Sequence, residues 1–91
     1  MARTKHGTIT AAQVDVALGA NYRFVEVLVR SGDADLWIVA DPTGAGTIAA
    51  ADDSDVIPSG VGSVVVESTS QAATIVRLET TGTVAYSLKG L

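Results

Sequence analysis

The chain has 91 residues, 6 Lys plus Arg against 10 Asp plus Glu for a formal net charge of −4, 47% hydrophobic residues and no cysteine. A chain of that length holds one domain and buries only about 60–65% of the surface its unfolded form exposes. The acidic balance repels phosphates and argues against nucleic-acid binding, and the missing thiols exclude disulfides, thiolate zinc sites and cysteine nucleophiles.

A mean hydropathy of +0.36 is high for a small protein that must cover itself with polar groups, and it points to a partner surface. The apolar residues are mainly Val, Ala, Ile and Leu, with one Trp, two Tyr and one Phe. Side chains of that size suit sheet-to-sheet packing better than a deep ligand cavity. The N-terminal residues are polar, no apolar signal region follows them, and no apolar run approaches the roughly 20 residues of a membrane helix. The expectation is a chain made and first folded in a cytoplasm, with no membrane partner.

Residues 1–7 carry Arg3, Lys5 and the single histidine, His6, and read as an N-terminal arm or a first edge strand on an acidic body. From Gln13, Val14, Val16 and Leu18 alternate with Asp15 and Ala17, the period of a half-buried strand. Tyr22 to Arg30 and Leu36 to Ala40 are two further alternating runs. The five residues between them, Ser31-Gly32-Asp33-Ala34-Asp35, have hairpin-loop composition, so the two runs are expected to fold back on each other as a central hairpin. Tyr22, Phe24 and Trp37 all sit there, which predicts that the core condenses around it.

Asp41 to Thr47 has turn chemistry at nearly every position, and Ile48 to Asp55 reads as loop because its Ala run is too short for an independent helix. Val56-Ile57 is a brief edge strand ending at Pro58. Ser63 to Glu67 and Ala73 to Glu79 are strands, the second with Thr74, Val76 and Leu78 on one face and Ile75, Arg77 and Glu79 on the other. Val84, Tyr86 and Leu88 alternate in a last run, expected to pair with Ala73–Glu79 as a second hairpin across Thr80-Thr81-Gly82-Thr83. The pattern predicts an all-β protein: a small antiparallel β-sandwich or barrel of six to seven short strands, with an arm at 1–7 and a single domain at 8–91.

Chemistry-bearing motifs are sparse. Asp52-Asp53-Ser54-Asp55 concentrates carboxylates but lacks the alternating ligands and Gly of a calcium loop, so a solvated acidic loop is the better reading. Pro42 to Thr47 lacks the Gly-Lys-Ser/Thr ending of a phosphate loop. His6 has no Ser or Asp partner that the sequence defines, and no nucleophile elbow or histidine cluster exists. The expectation is no enzyme, no cofactor and no metal. Candidate interface residues are Arg3, Lys5, His6, Tyr22, Arg23, Arg30 and Trp37; Arg23, Arg30 and Arg77 are expected either to pair with Glu26 or Glu79 across a solvated face or to reach a partner.

The run Tyr22-Arg23-Phe24-Val25-Glu26-Val27-Leu28-Val29-Arg30-Ser31-Gly32, then Leu36-Trp37-Ile38-Val39-Ala40-Asp41, the Ala-Asp-Asp loop with Val56-Ile57-Pro58, and the ending Thr81 to Leu91 resemble small head-associated, capsid-decorating β-sandwich proteins of tailed actinobacteriophages. The likeness runs from about Thr8 onward, except that the 42–51 loop is richer in Ala and Gly here. The resemblance implies a non-enzymatic virion protein that binds the outside of the capsid, with the major capsid protein as partner. It further implies a homo-oligomer, a trimer by preference, whose seam or capsid footing is the central hairpin. Alternatives are a minor tail or head–tail connector component, or a carbohydrate-binding module stacking sugars on Trp37 and Tyr86.

Overall fold

The computed structural model describes residues 4–42, 46–49, 54–68 and 73–91. Among them are eight strands and no helix: β1 Thr4–Thr10, β2 Gln13–Tyr22, β3 Phe24–Gly32, β4 Leu36–Ala40, β5 Asp55–Ile57, β6 Gly62–Glu67, β7 Ala73–Glu79 and β8 Thr83–Gly90. They form two four-stranded antiparallel sheets, sheet A in the order β1-β8-β3-β6 and sheet B in the order β2-β7-β4-β5. The all-β sandwich expected from the alternation is present.

The strand count exceeds six to seven because residues 4–10 form a complete edge strand. Thr4 to Thr10 pair in unbroken register with Lys89 to Thr83, so the arm boundary drawn after Gly7 falls inside β1. Thr4, Lys5 and His6 are sheet residues, while Arg3 lies outside the described residues.

The pairing explains the architecture. Folded in half at the 41–54 connection, the chain becomes one long antiparallel ribbon in which β4 pairs with β5, β3 with β6, β2 with β7 and β1 with β8. The ribbon is then rolled so that β8 lies beside β3 and β7 beside β4. That order is the jelly roll.

Both expected hairpins are therefore absent. β3 pairs with β6 and β8, β4 with β5 and β7, and β7 and β8 belong to different sheets. The alternation itself was read correctly: Val25, Val27 and Val29 are buried in sheet A, and Leu36 and Ile38 in sheet B. A hairpin would have set these two apolar faces side by side, still needing a cover. The arch at Asp33–Asp35 instead turns one against the other, and each covers its counterpart in a single core with Leu18, Val66, Val76, Leu78, Val84 and Leu88.

Four such arches stack at one end of the sandwich. The Ala11 amide donates to Gly82 O (2.7 Å), the Thr80 amide to Ala12 O (3.1 Å), the Asp33 amide to Thr83 O (3.2 Å) and the Gly60 amide to Gly32 O (3.1 Å). The two aspartates that gave residues 31–35 their hairpin-like composition serve these corners. Asp33 Oδ1 accepts from the Thr83 amide at 2.7 Å and Asp35 Oδ1 from the Ser59 amide at 3.0 Å. Gly82 is required by close approach, since a side chain there would run into Asp33 and Ala34.

The aromatic rings do not organise the core as expected. Phe24 is exposed, and Tyr22 and Trp37 are half-buried. Tyr86 is the buried ring, 7% exposed, and it lies over Gly7 on the neighbouring strand, where a Cβ would collide with it. The interior is thus mostly aliphatic, and its cost of disruption should follow cavity formation. Leu88→Ala is expected to lower the unfolding free energy by about 2–5 kcal/mol in urea titration; a loss below about 1 kcal/mol would contradict burial of Leu88 between the sheets.

Candidate functional site

The broad outer faces of the two sheets differ. On sheet B, the register aligns Asp15 of β2, Arg77 of β7 and Val39 of β4 in one row, and Gln13, Glu79, Trp37 and Val56 in the next. Arg77 is buried and its guanidinium forks onto Asp15, Nε to Oδ1 at 2.7 Å and Nη2 to Oδ2 at 3.0 Å. Its Nη1 reaches the Gly46 carbonyl at 3.5 Å.

Beside it, the Glu79 carboxylate gathers the segment 46–49. The Thr47 hydroxyl donates to it at 2.6 Å, the Ile48 amide at 2.8 Å and the Ala49 amide at 3.0 Å. Arg77 and Glu79 so draw a piece of the β4–β5 connection onto sheet B, and Ile48 within it and Val39 beside Arg77 in register are both buried.

These contacts set the local ionisation. The hydrogen bond from Arg77 holds the Asp15 carboxyl below its ordinary 3.8 and, in return, raises Arg77. The Thr47 hydroxyl, followed by the Ile48 and Ala49 amides, holds Glu79 below its ordinary 4.5 against the upward pull of burial.

The outer face of sheet A has no such cover among the described residues. Its rows run Thr4, Lys89, Glu26, Val65 and then His6, Ser87, Leu28, Ser63, with Phe24 and Glu67 beyond. Leu28, Phe24 and Val65 are exposed apolar side chains, Val65 at 51%. Opposite charges lie in register at Glu26 and Lys89. Arg23 binds Glu67 at 3.0 Å and stacks over the Phe24 ring, 5.3 Å from its centroid. The face is apolar at its β3–β6 side, carries hydroxyls at its β1–β8 side, and sets Glu26 in register with Lys89 and Glu67 against Arg23.

The candidate interface residues do not converge. His6 and Arg30 belong to sheet A: His6 Nδ1 hydrogen-bonds Ser87 Oγ at 2.7 Å, and Arg30 Nη2 donates to the Tyr86 carbonyl at 3.2 Å and the Gly7 carbonyl at 3.4 Å. Arg30 sits where the β3–β8 register shifts between Val29 and Ser31, which turns its side chain back over β8. Lys5 is exposed on the β1 edge. Tyr22 and Arg23 stand at the end opposite the stacked arches, where the Tyr22 ring packs on Gly90 and the Ser68 amide donates to Arg23 O. Trp37 is on sheet B, away from the others.

Several expected pairings are corrected. Arg77 binds Asp15, and Arg23 binds Glu67; neither meets Glu26 or Glu79. His6 does have a serine partner, Ser87, 81 residues away in sequence. Ser87 is buried in mid-sheet between His6 and Leu28, in register with both. Tyr86 is buried in sheet A and Trp37 half-buried in sheet B, so they form no shared sugar-stacking platform. Asp52 and Asp53 of the acidic loop, and residues 43–45 of the Gly-rich loop, lie outside the described residues; among those described, no group of three metal-ligating side chains occurs.

The Glu79 and Asp15 clamps give a pH dependence of defined sign. Both folded-state carboxyls titrate below their unfolded values, so their stabilisation is complete above about pH 4.5 and is lost as pH falls through the lowered folded values. Glu79→Gln should cost about 1–2 kcal/mol at pH 7 and make the stability loss between pH 5 and pH 3 shallower than in the wild type, measured by urea midpoints across that range. Parallel wild-type and variant curves would contradict the clamp.

No family model matches the chain, no curated protein matches it, and no solved structure matches it.

Proposed function

We propose that the chain is a non-enzymatic structural protein of a tailed-phage virion, synthesised in the bacterial host cytoplasm, that binds the outside of the capsid in many copies and reinforces it. The observation that carries this reading is the contrast between the two outer faces. Sheet B holds residues 46–49 against Arg77 and Glu79 and has its exposed apolar side chains, Ile75 and Val56, on strands separated by β4, whereas sheet A leaves Leu28, Phe24 and Val65 open on the adjacent strands β3 and β6.

Such a face is suited to docking on a broad protein surface. It buries apolar area at its β3–β6 side, offers Thr4, Thr8, Ser63 and His6 as hydrogen-bonding groups, and sets Glu26 in register with Lys89 and Glu67 against Arg23. A protein that clamps neighbouring capsid subunits must also be stiff. Two sheets joined by hydrogen-bonded corners and a single core provide stiffness without disulfides. The resemblance to actinobacteriophage capsid-decorating proteins points to the same class of partner, the major capsid protein. Jelly rolls also carry lectin and cupin functions, so the topology supports this reading only alongside the open face.

The test is co-sedimentation of the purified chain with capsid shells assembled from the major capsid protein of the same phage. Wild-type chain should bind to saturation at many copies per shell. Leu28→Asp, on the open face, should weaken binding at least tenfold, about 1.4 kcal/mol, with an unchanged far-ultraviolet spectrum, and Ile75→Asp, on the outer face of sheet B, should bind as wild type. Shells that pellet bare, or Leu28→Asp binding undiminished, would reject the reading.

A further inference from the structure

The sandwich has four edge strands, β1 and β6 in sheet A and β2 and β5 in sheet B. An edge strand presents unpaired N–H and C=O groups to any passing strand, and proteins that stay single blunt such edges with charge, bulges, proline or shortness. Three of the four are blunted. β1 carries Lys5 and His6. The register of β2 shifts between Ala17 and Tyr22, where Gly19 has φ of +82°. β5 is three residues long, begins with Asp55 and is followed by Pro58.

β6 is different. Gly62-Ser63-Val64-Val65-Val66 has no charge and no proline, its valines favour extended backbone, and among the described residues it pairs through one side only, in continuous register with β3. Its single charged residue, Glu67, is at the end and already neutralised by Arg23 at 3.0 Å.

We infer that β6 is a self-association edge: a second copy of this chain adds its own β6 antiparallel to the first, about a two-fold axis normal to the sheet, joining two A sheets into one of eight strands. A second copy is the occupant because Val64-Val65-Val66 is self-complementary about a two-fold axis, valine meeting valine, and charge selects the register. The chain bears a net charge of −4, so two copies repel wherever charged surfaces meet, and β6 is the long edge on which they meet without charge. A two-fold axis normal to the sheet keeps outward residues outward in both copies. Centring it on Val65 sets Val65 against Val65, Val64 against Val66 and Glu67 against Ser63 of the other copy. Centring it on Glu67 would oppose two carboxylates. The chosen register also covers Val65, 51% exposed.

Isologous pairing is favoured over a three-fold ring for the same reason. A ring needs β6 to meet a different patch on the next copy, and each of the other three edges carries a device against strand addition. The dimer replaces the trimer expected from the resemblance, and it is independent of the capsid reading because it forms without a shell.

The experiment is sedimentation equilibrium on the purified chain at 10–300 μM. The wild type should approach twice the chain mass of 9.2 kDa. Val65→Lys, folded by far-ultraviolet circular dichroism, should remain at the single-chain mass, whereas Thr8→Lys on the β1 edge should dimerise as wild type does. Val65→Cys introduces the sole thiol and should give a disulfide-linked dimer under mild oxidation, a readout that holds even if Val65→Lys does not fold. A wild type at the single-chain mass throughout, a trimer, a dimer that survives Val65→Lys, or a Val65→Cys chain that stays uncross-linked would each overturn the inference.

Discussion

The physical constraint on which this molecule depends is that two sheets must be held together by small aliphatic side chains. Val25, Val27, Val29, Val76 and Val84, with Leu36, Ile38, Leu78 and Leu88, fill the space between the sheets almost without rings. Short side chains contact one another only if the sheets lie close, and the molecule is a plate of 30 × 29 × 17 Å. A thin plate can be crossed in very few residues. Arg23 alone joins β2 to β3, Ala11 and Ala12 join β1 to β2, and three residues each suffice at Asp33–Asp35 and at Thr80–Gly82. One corner, Ala11, adopts a left-handed backbone at φ of +44°, a conformation costing an L-residue on the order of 1 kcal/mol. The amide bond to Gly82 O and the neighbouring arches hold it there.

Tight corners leave little for a concave site to be built from. Catalytic and ligand sites on β folds usually occupy long loops or the mouth of a barrel. Here the arch end is knitted by backbone hydrogen bonds and by Asp33 and Asp35, and the described part of the one long connection is drawn onto sheet B by Glu79 and Arg77. Among the described residues, Asp15, Arg77, Glu79, Asp33 and Asp35 hold the chain to itself; the β3–β6 side of sheet A and the β6 edge stay open.

The extent to which this was legible follows from the range of each signal. Period-two alternation is local, so strand positions and the all-β class could be read directly, while which face of β3 and β4 turns inward could not. Pairing is not local. Residues 31–35 have the composition of a hairpin loop because corner chemistry and hairpin chemistry draw on the same residues, Gly and Asp, and nothing within that stretch tells a turn inside one sheet from an arch between two. The partners of Arg77, Arg23 and His6 lie 62, 44 and 81 residues away, set by the rolled ribbon rather than by spacing. Same-face placement of Arg77 and Glu79 was correct; their separate tasks, one on Asp15 and one on Thr47, required the register of β2 and the path of residues 46–49. Asp15, alternating with the half-buried Val14 and Val16 in β2, was the available hint that an arginine would be needed opposite.

The open face and the bare edge are related by geometry. A standard protein interface takes about 800 Å² from each partner, and one broad side of a 30 × 29 Å plate offers little more than that, of which only the β3–β6 part is apolar. A single copy would hold a shell with a marginal footing. β6 borders the apolar part of the face, so joining two copies along it would bring Leu28, Phe24 and Val65 of both into one continuous strip on a common outer surface. Two linked footings bind as a unit, because once one has engaged, the other is held at high effective concentration over its own site. An edge left unblunted, at the risk of aggregation, is understandable if the area it brings together is the area through which the protein binds.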